Sequence, residues 1–166
     1  LFDRFAAVYQ DQGLPVEVFA AVKANKVSSP LDFNARVQAV AAFIKTSESE
    51  SLAGANKRVS NILGKSEVTV KASDFNSALL VEDAEIELAN AIEIKEAEVQ
   101  PLFAQANYRD GLLKLTELKD NIDAFFDGVM VNAEDPTLKN NRLALLSRLR
   151  ALFLHVADIS LLAQKR

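Results

Sequence analysis

The residues best suited to chemistry lie in a short stretch, ANKRVSNIL, at positions 55–63. Apolar residues recur there at helical spacing, and the other sides carry Asn56, Lys57, Arg58 and Asn61. An arginine can bind a phosphate in a forked manner or stack on a base, and an amide can pair with the edge of a base. The pattern is compatible with an ordinary solvated helix face and with a surface that binds RNA.

A helical wheel divides the segment from residue 52 to residue 65 into two sides. The predicted core side consists of Ala55, Val59, Ile62 and Leu63. The predicted outer stripe consists of Arg58, Asn61 and Lys65, with Gly54 at its start and Lys57 beside it. A glycine at that point leaves room for another backbone to approach.

The charge of the chain is unevenly spread, although the formal net charge over 166 residues is −4. Residues 67–98 hold nine acidic residues against Lys71 and Lys95, whereas residues 52–65 hold three basic residues and no acid. Residues 136–166 are also basic, with six Lys and Arg against Asp158. Overall acidity argues against sequence-blind binding to nucleic acid, but it permits a local basic patch that binds phosphates.

Composition excludes several classes of site. The absence of Cys removes disulfides, thiolate metal sites and Cys nucleophiles. The single histidine, His155, lies one turn from Leu152 on an apolar helix, which favours a core or boundary role. There is no glycine-rich nucleotide loop and no apolar run of about 18 residues, and the acids of residues 82–98 are typical of a solvated face. Residue chemistry therefore predicts a non-catalytic module with no metal site.

Hydrophobic periodicity predicts helices along most of the chain. The predicted helices begin and end near residues 2–9, 15–26, 32–44, 52–65, 82–106, 109–119, 120–131 and 136–163, with a polar loop at 47–51 and an extended loop at 67–71. Pro101 is expected to kink or split the helix that contains it. The last helix is apolar on two sides, which predicts a central position in a bundle.

The predicted fold class is therefore all-α, a helical bundle in one domain over residues 1–166. Within it, residues 1–51 are a possible N-terminal helical part and residues 52–166 are the bundle core. The chain opens with LFDR and no Met, so it is expected to begin inside a longer protein.

Three segments carry a resemblance to one family. In chain order, SPLDFNARVQAVAAF (29–43), ANKRVSNIL (55–63) and AFFDGVMVNAEDPTLKNNRLALLSRLRALFLHVADISLL (124–162) resemble the C-terminal end of the bacterial glycyl-tRNA synthetase β subunit. The last block also resembles the DALR anticodon-binding domain of class I arginyl-tRNA synthetases, with SRLRAL (147–152) at the signature position. The resemblance implies an all-helical bundle that binds the anticodon stem-loop of glycine tRNA.

The resemblance also implies partners. The fragment would assemble with the α subunit of the synthetase, which carries the class II aminoacylation site, and with the remaining β-subunit domains. ATP and magnesium are implied for that complex and no cofactor for this fragment, so no catalysis is expected from it. A cytoplasmic location is expected, with neither a membrane nor DNA as a partner.

The site residues are predicted to divide into two roles. The predicted phosphate contacts are Lys57, Arg58, Lys65 and Lys139, and the predicted base readers are Asn56, Asn61 and Arg142. The candidate aromatic platforms are Tyr9, Tyr108, Phe125 and Phe126. Arg142 can instead pair with an acid, for which Asp127, Glu134 and Asp158 are the candidates.

Two alternative functions remain open. The acidic face of residues 82–98 can dock another protein of the same synthetase, which makes the chain a protein–protein module. The chain can also be the anticodon domain of an arginyl-type synthetase.

Overall fold

The structure, a computed structural model, describes residues 16–24, 29–66 and 70–163 as α-helices joined by short turns. The helices are α1 (Val16–Lys23), α2 (Pro30–Phe43), α3 (Ser49–Lys65), α4 (Asp83–Ala104), α5 (Tyr108–Leu115), α6 (Lys119–Gly128) and α7 (Pro136–Leu154). Short 3-10 turns occupy Ala72–Asp74, Ser77–Leu79, Thr116–Leu118 and Ile159–Leu162. These residues contain no β-strand, which confirms the predicted all-α class. The predicted helix at 2–9 and most of the extended loop, residues 67–69, lie outside the described ranges.

Helix starts follow the capping residues of the sequence. The side chain of Ser29 accepts a hydrogen bond from the amide of Asp32 at 3.4 Å, and Pro30 opens α2. The side chain of Asp135 accepts from the amide of Thr137 at 2.8 Å, and a proline again opens α7. The predicted start of the last helix near residue 136 is therefore confirmed.

Helix α7 lies at the centre of the bundle, where it packs against α3, α4 and α5. Leu143 and Leu145, which lie on different sides of this helix, are each at most 2% exposed. The buried side chains form one cluster that extends from Val18 in α1 to Ile159 in the last turn. The predicted central position of the last helix is confirmed.

The predicted end of the last helix is wrong, because α7 ends at Leu154 and not near residue 163. Tertiary contacts replace the helical hydrogen bonds at this point. The guanidinium of Arg36 donates to the carbonyls of His155 and Val156, and the amide of Asp158 donates to the carbonyl of Ala21 at 2.9 Å. Ile159 continues the apolar spacing although it lies in the 3-10 turn after the helix, because its side chain is buried.

Two other boundaries also differ from the prediction. Helix α3 begins at Ser49, inside the loop expected at 47–51. Helix α4 is not split at Pro101 and continues to Ala104. The proline has no N–H to donate to the carbonyl of Ala97, but only this one hydrogen bond is lost and the helix continues for three more residues. None of the helices in the described ranges is long and apolar enough to cross a membrane.

Candidate nucleic-acid interface

A groove of about 520 Å³ opens between the C-terminal half of α3, the first turns of α7 and the segment that joins α6 to α7. It is lined by Arg58, Ile62, Lys65, Ser66, Val129, Met130, Val131, Asn132, Lys139 and Leu143. The lining combines apolar side chains with three basic ones. Its volume is in the range of about 300 to 1,000 Å³ that is typical of ligand sites.

Three of the predicted phosphate contacts, Arg58, Lys65 and Lys139, are brought together in this groove. Among the described residues, none of the three forms an ion pair. Many other basic side chains are paired with acids of the same chain, as in Arg36–Asp32, Lys95–Glu117, Lys119–Asp123, Arg142–Glu85 and Arg148–Glu96. The groove therefore offers positive charge that is available to an anion from outside.

The aromatic candidates have different environments. Tyr108 is 7% exposed, its hydroxyl donates to Asp32, and the guanidinium of Arg36 lies over its ring at 4.4 Å. Phe125 is fully buried, whereas Phe126 is half-buried beneath the side chain of Arg58. Tyr9 lies outside the described residues. Of the candidates that the structure describes, only Phe126 is next to the groove.

The predicted outer position of Asn56 is wrong. This residue is 5% exposed, and its side-chain amide donates to the carbonyl of Leu52 at 2.9 Å. An amide that bonds back to its own helix can be buried without an unpaired donor, which a helical wheel does not reveal. Asn61 is exposed and Lys57 is half-buried, but neither lines the groove.

Base reading and pairing with an acid were the two roles considered for Arg142, and this residue is 5% exposed and paired. Its guanidinium donates to Glu85 at 2.9 Å and to the carbonyl of Met130 at 2.6 Å. Its partner is therefore Glu85, 57 residues upstream, and none of the acids considered from the sequence. Burial raises the pKa of Glu85, but the hydrogen bonds from Arg142 and from the amide of Glu82, together with the charge of Arg142, more than offset burial, and the pKa lies below its ordinary value.

A profile of the DALR anticodon binding domain family matches residues 52–159. This range is more than half of the chain and includes every residue that lines the groove. The chain belongs to the DALR anticodon binding domain family. Its described fold agrees with the all-helical DALR bundle that the sequence predicted.

The chain is also similar to glycine–tRNA ligase β subunits. It is 53% identical over 159 residues to that of Shewanella woodyi, which covers 96% of this chain and 23% of the relative. The β subunit of Hahella chejuensis is 47% identical over 165 residues, 99% of this chain and 24% of the relative. The β subunit of Pseudomonas aeruginosa strain LESB58 is 52% identical over 162 residues, which cover 98% of this chain and 24% of the relative. The chain thus spans about a quarter of the length of these relatives, and its resemblance to this subunit family is confirmed.

Sequence reasoning missed the segment of the DALR domain that joins α6 to α7. Met130 and Asn132 line the groove, and the side chain of Met130 is 69% exposed. The first residues of this segment, up to Val131, continue the apolar periodicity of α6 and were therefore included in the helix predicted at 120–131. Gly128, at which α6 ends, is the signal that indicates the loop.

A core or boundary role was predicted for His155, the single histidine. Its side chain is exposed, and its ring stacks on Phe103 with centroids 5.3 Å apart. A second cavity, of about 480 Å³, lies beside this pair and also includes Glu96 and Gln100. Within the described residues, no group of three His, Asp or Glu side chains is arranged to hold a metal ion.

Proposed function

We propose that the DALR domain binds the anticodon stem-loop of glycine tRNA along the groove, as part of a glycyl-tRNA synthetase β subunit. The observation that carries this proposal is the convergence of Arg58, Lys65 and Lys139, free of ion pairs within the described residues, on a groove with apolar lining. The family description supports the anticodon as the target, and the names of the relatives support glycine tRNA.

Recognition in this proposal involves no covalent chemistry. Lys65 and Lys139 hold phosphates of the loop and set its register. The exposed amides of Asn61 and Asn132 pair with the edges of unstacked bases. Glycine tRNAs carry cytosine at the second and third anticodon positions, and a cytosine offers an amino donor and a carbonyl acceptor to an amide.

Aminoacylation takes place elsewhere in this proposal. The α subunit of the synthetase carries the reaction with ATP and magnesium, in the cytoplasm, and the DALR domain supplies affinity for the tRNA. The domain therefore needs a surface for the anticodon arm and no reactive group of its own.

Binding of the chain to two stem-loops at two salt concentrations tests the proposal. One loop carries the glycine anticodon, and the other has both cytosines changed. Lys65→Ala and Lys139→Ala should weaken binding of both loops similarly, and each should flatten the salt dependence by about 0.7–0.9 of a unit of slope, because one phosphate contact is lost. Lys45→Ala, which removes an exposed lysine outside the groove, is the matched control and should change neither quantity.

The proposal fails if the unaltered chain binds the two loops equally. It also fails if the groove variants behave like Lys45→Ala while circular dichroism shows that they remain folded.

A further inference from the structure

The contact between Arg58 and Phe126 gives the groove a planar cation that is held in place. Arg58 Cζ lies 4.3 Å from the centroid of the Phe126 ring, which is the distance of a cation–π contact. Phe126 in turn packs edge-on against Phe125, with centroids 5.6 Å apart and an interplanar angle of 76°. Because Phe125 has no exposure to solvent, it fixes Phe126 to the core, and Phe126 covers one side of the guanidinium.

The side chain of Arg58 is accessible from the groove. Arg58 is exposed and lines the groove, whereas Phe126 is half-buried and does not. No carboxylate of the described chain forms an ion pair with Arg58, so its guanidinium is not already occupied. Met130 lines the same groove with its side chain 69% exposed.

A flat cation next to an exposed apolar side chain suits the face of a nucleobase. Bases stack on guanidinium planes as well as on aromatic rings, and each base has a π face. A phosphate is bound by the N–H groups at the edge of a guanidinium, whereas a base stacks on its face. The environment of Arg58 thus differs from that of Lys65 and Lys139, which supply charge alone.

We propose that Arg58 is a stacking platform for one unstacked base of the loop and that Phe126 is the positioning residue behind it. This inference rests on the proposed function, because it assigns a role within the same groove. It changes the role that the sequence predicted for Arg58, which was a phosphate contact.

Arg58→Lys tests the inference because it retains the charge and removes the plane. Stacking contributes about 1–3 kcal/mol per base, so affinity for the stem-loop should fall by about 5- to 150-fold, while the slope of affinity against salt should not change. A fluorescent base analogue is placed at each loop position in turn. One position should be quenched when the unaltered chain binds and not when Arg58→Lys binds, and Lys45→Arg is the matched control.

Phe126→Leu should weaken quenching at the same position, because the guanidinium loses its support. If Phe126→Leu does not fold, Arg58→Lys remains the decisive variant, because Arg58 is exposed and its replacement leaves the core intact. If Arg58→Lys keeps the affinity and the quenching of the unaltered chain, Arg58 makes a simple charge contact. That result would overturn this inference and leave the proposed function standing. Failure of the unaltered chain to bind the stem-loop would overturn the proposed function and this inference together.

Discussion

Arg142 lies behind the groove, where its guanidinium joins the carbonyl of Met130 to the carboxylate of Glu85. The ion pair is almost fully removed from solvent, with side-chain exposures of 6% and 1%. A buried pair of this kind contributes little net stability compared with apolar side chains, but removing one partner leaves an unpaired charge in the interior. Arg142 therefore holds one wall of the groove in position.

Removal of Arg142 alone should be far more harmful than removal of the whole pair. Arg142→Met should lower the free energy of unfolding by about 3–5 kcal/mol, because Glu85 is left buried without its partner. The double variant Glu85→Leu with Arg142→Met should recover most of that loss. Urea denaturation of both variants at pH 7 measures the difference, and a loss below about 1 kcal/mol in the single variant would contradict the interpretation.

The lowered pKa of Glu85 predicts a dependence of stability on pH. A carboxylate with a lowered folded-state pKa stabilises the fold above its unfolded pKa of about 4.3, and this contribution disappears as the pH falls through the folded pKa. The free energy of unfolding of the unaltered chain should therefore exceed that of Glu85→Gln at pH 7, and the gap should close in acid. Denaturation between pH 7 and pH 3 tests this, with Glu87→Gln, an exposed glutamate of the same helix, as the control. A gap that stays constant over this range would show that Glu85 does not titrate as inferred.

The junction between α4 and α5 is held by two backbone hydrogen bonds and a left-handed residue. Ala106 has φ of 59°, and the amides of Ala106 and Asn107 donate back to the carbonyls of Phe103 and Leu102 at 3.1 and 2.8 Å. These bonds form a helix-ending motif in which glycine is the usual residue at the left-handed position. A side chain at Gly111 would overlap the ring of Phe103, so α5 approaches α4 closely at that glycine.

Replacing Ala106 by glycine should stabilise the fold. The left-handed conformation costs an alanine about 1–2 kcal/mol, and part of this is offset by the greater freedom of glycine in the unfolded chain. We expect a gain of about 1 kcal/mol, or a rise in Tm of about 2–4 °C. Ala104→Gly, two residues earlier and within α4, is the matched control and should lower the Tm in the same thermal scan. An equal effect of the two substitutions would show that the conformation of Ala106 does not matter.

The helices were largely predictable from the sequence, whereas their tertiary partners were not. Periodicity and caps are local signals, so residues such as Ser29 and Asp135 mark helix starts correctly. The pairing of Arg142 with Glu85 is a contact across 57 residues that no local pattern encodes. The burial of Asn56 depends on how α3 packs, because its own hydrogen bond, to Leu52 of the same helix, is local. The groove cations Arg58, Lys65 and Lys139 were predicted because they lie in segments with few acids. Met130 was not predicted as a groove residue, because the loop that carries it was not recognised.

At the scale of the molecule, the acidic net charge is compatible with a basic groove because many acids are paired within the chain. Helix α4 supplies Glu85 and Glu96 to two arginines of α7, so the acidic and basic segments of the sequence pack against each other. Exposed acids such as Glu87 and Glu93 remain on the outer side of α4. The docking role predicted for that face stays a prediction.

The contacts of Arg36 join the start of the described chain to its end. Arg36 of α2 donates to the carbonyls of His155 and Val156, about 120 residues later, and the amide of Asp158 bonds to Ala21 in α1. Because these bonds join the first described helices to the last turn, fraying of one end exposes the backbone groups of the other. Local opening of the last turn therefore breaks its bonds to α1 and α2, which couples the stability of the two ends of the described chain.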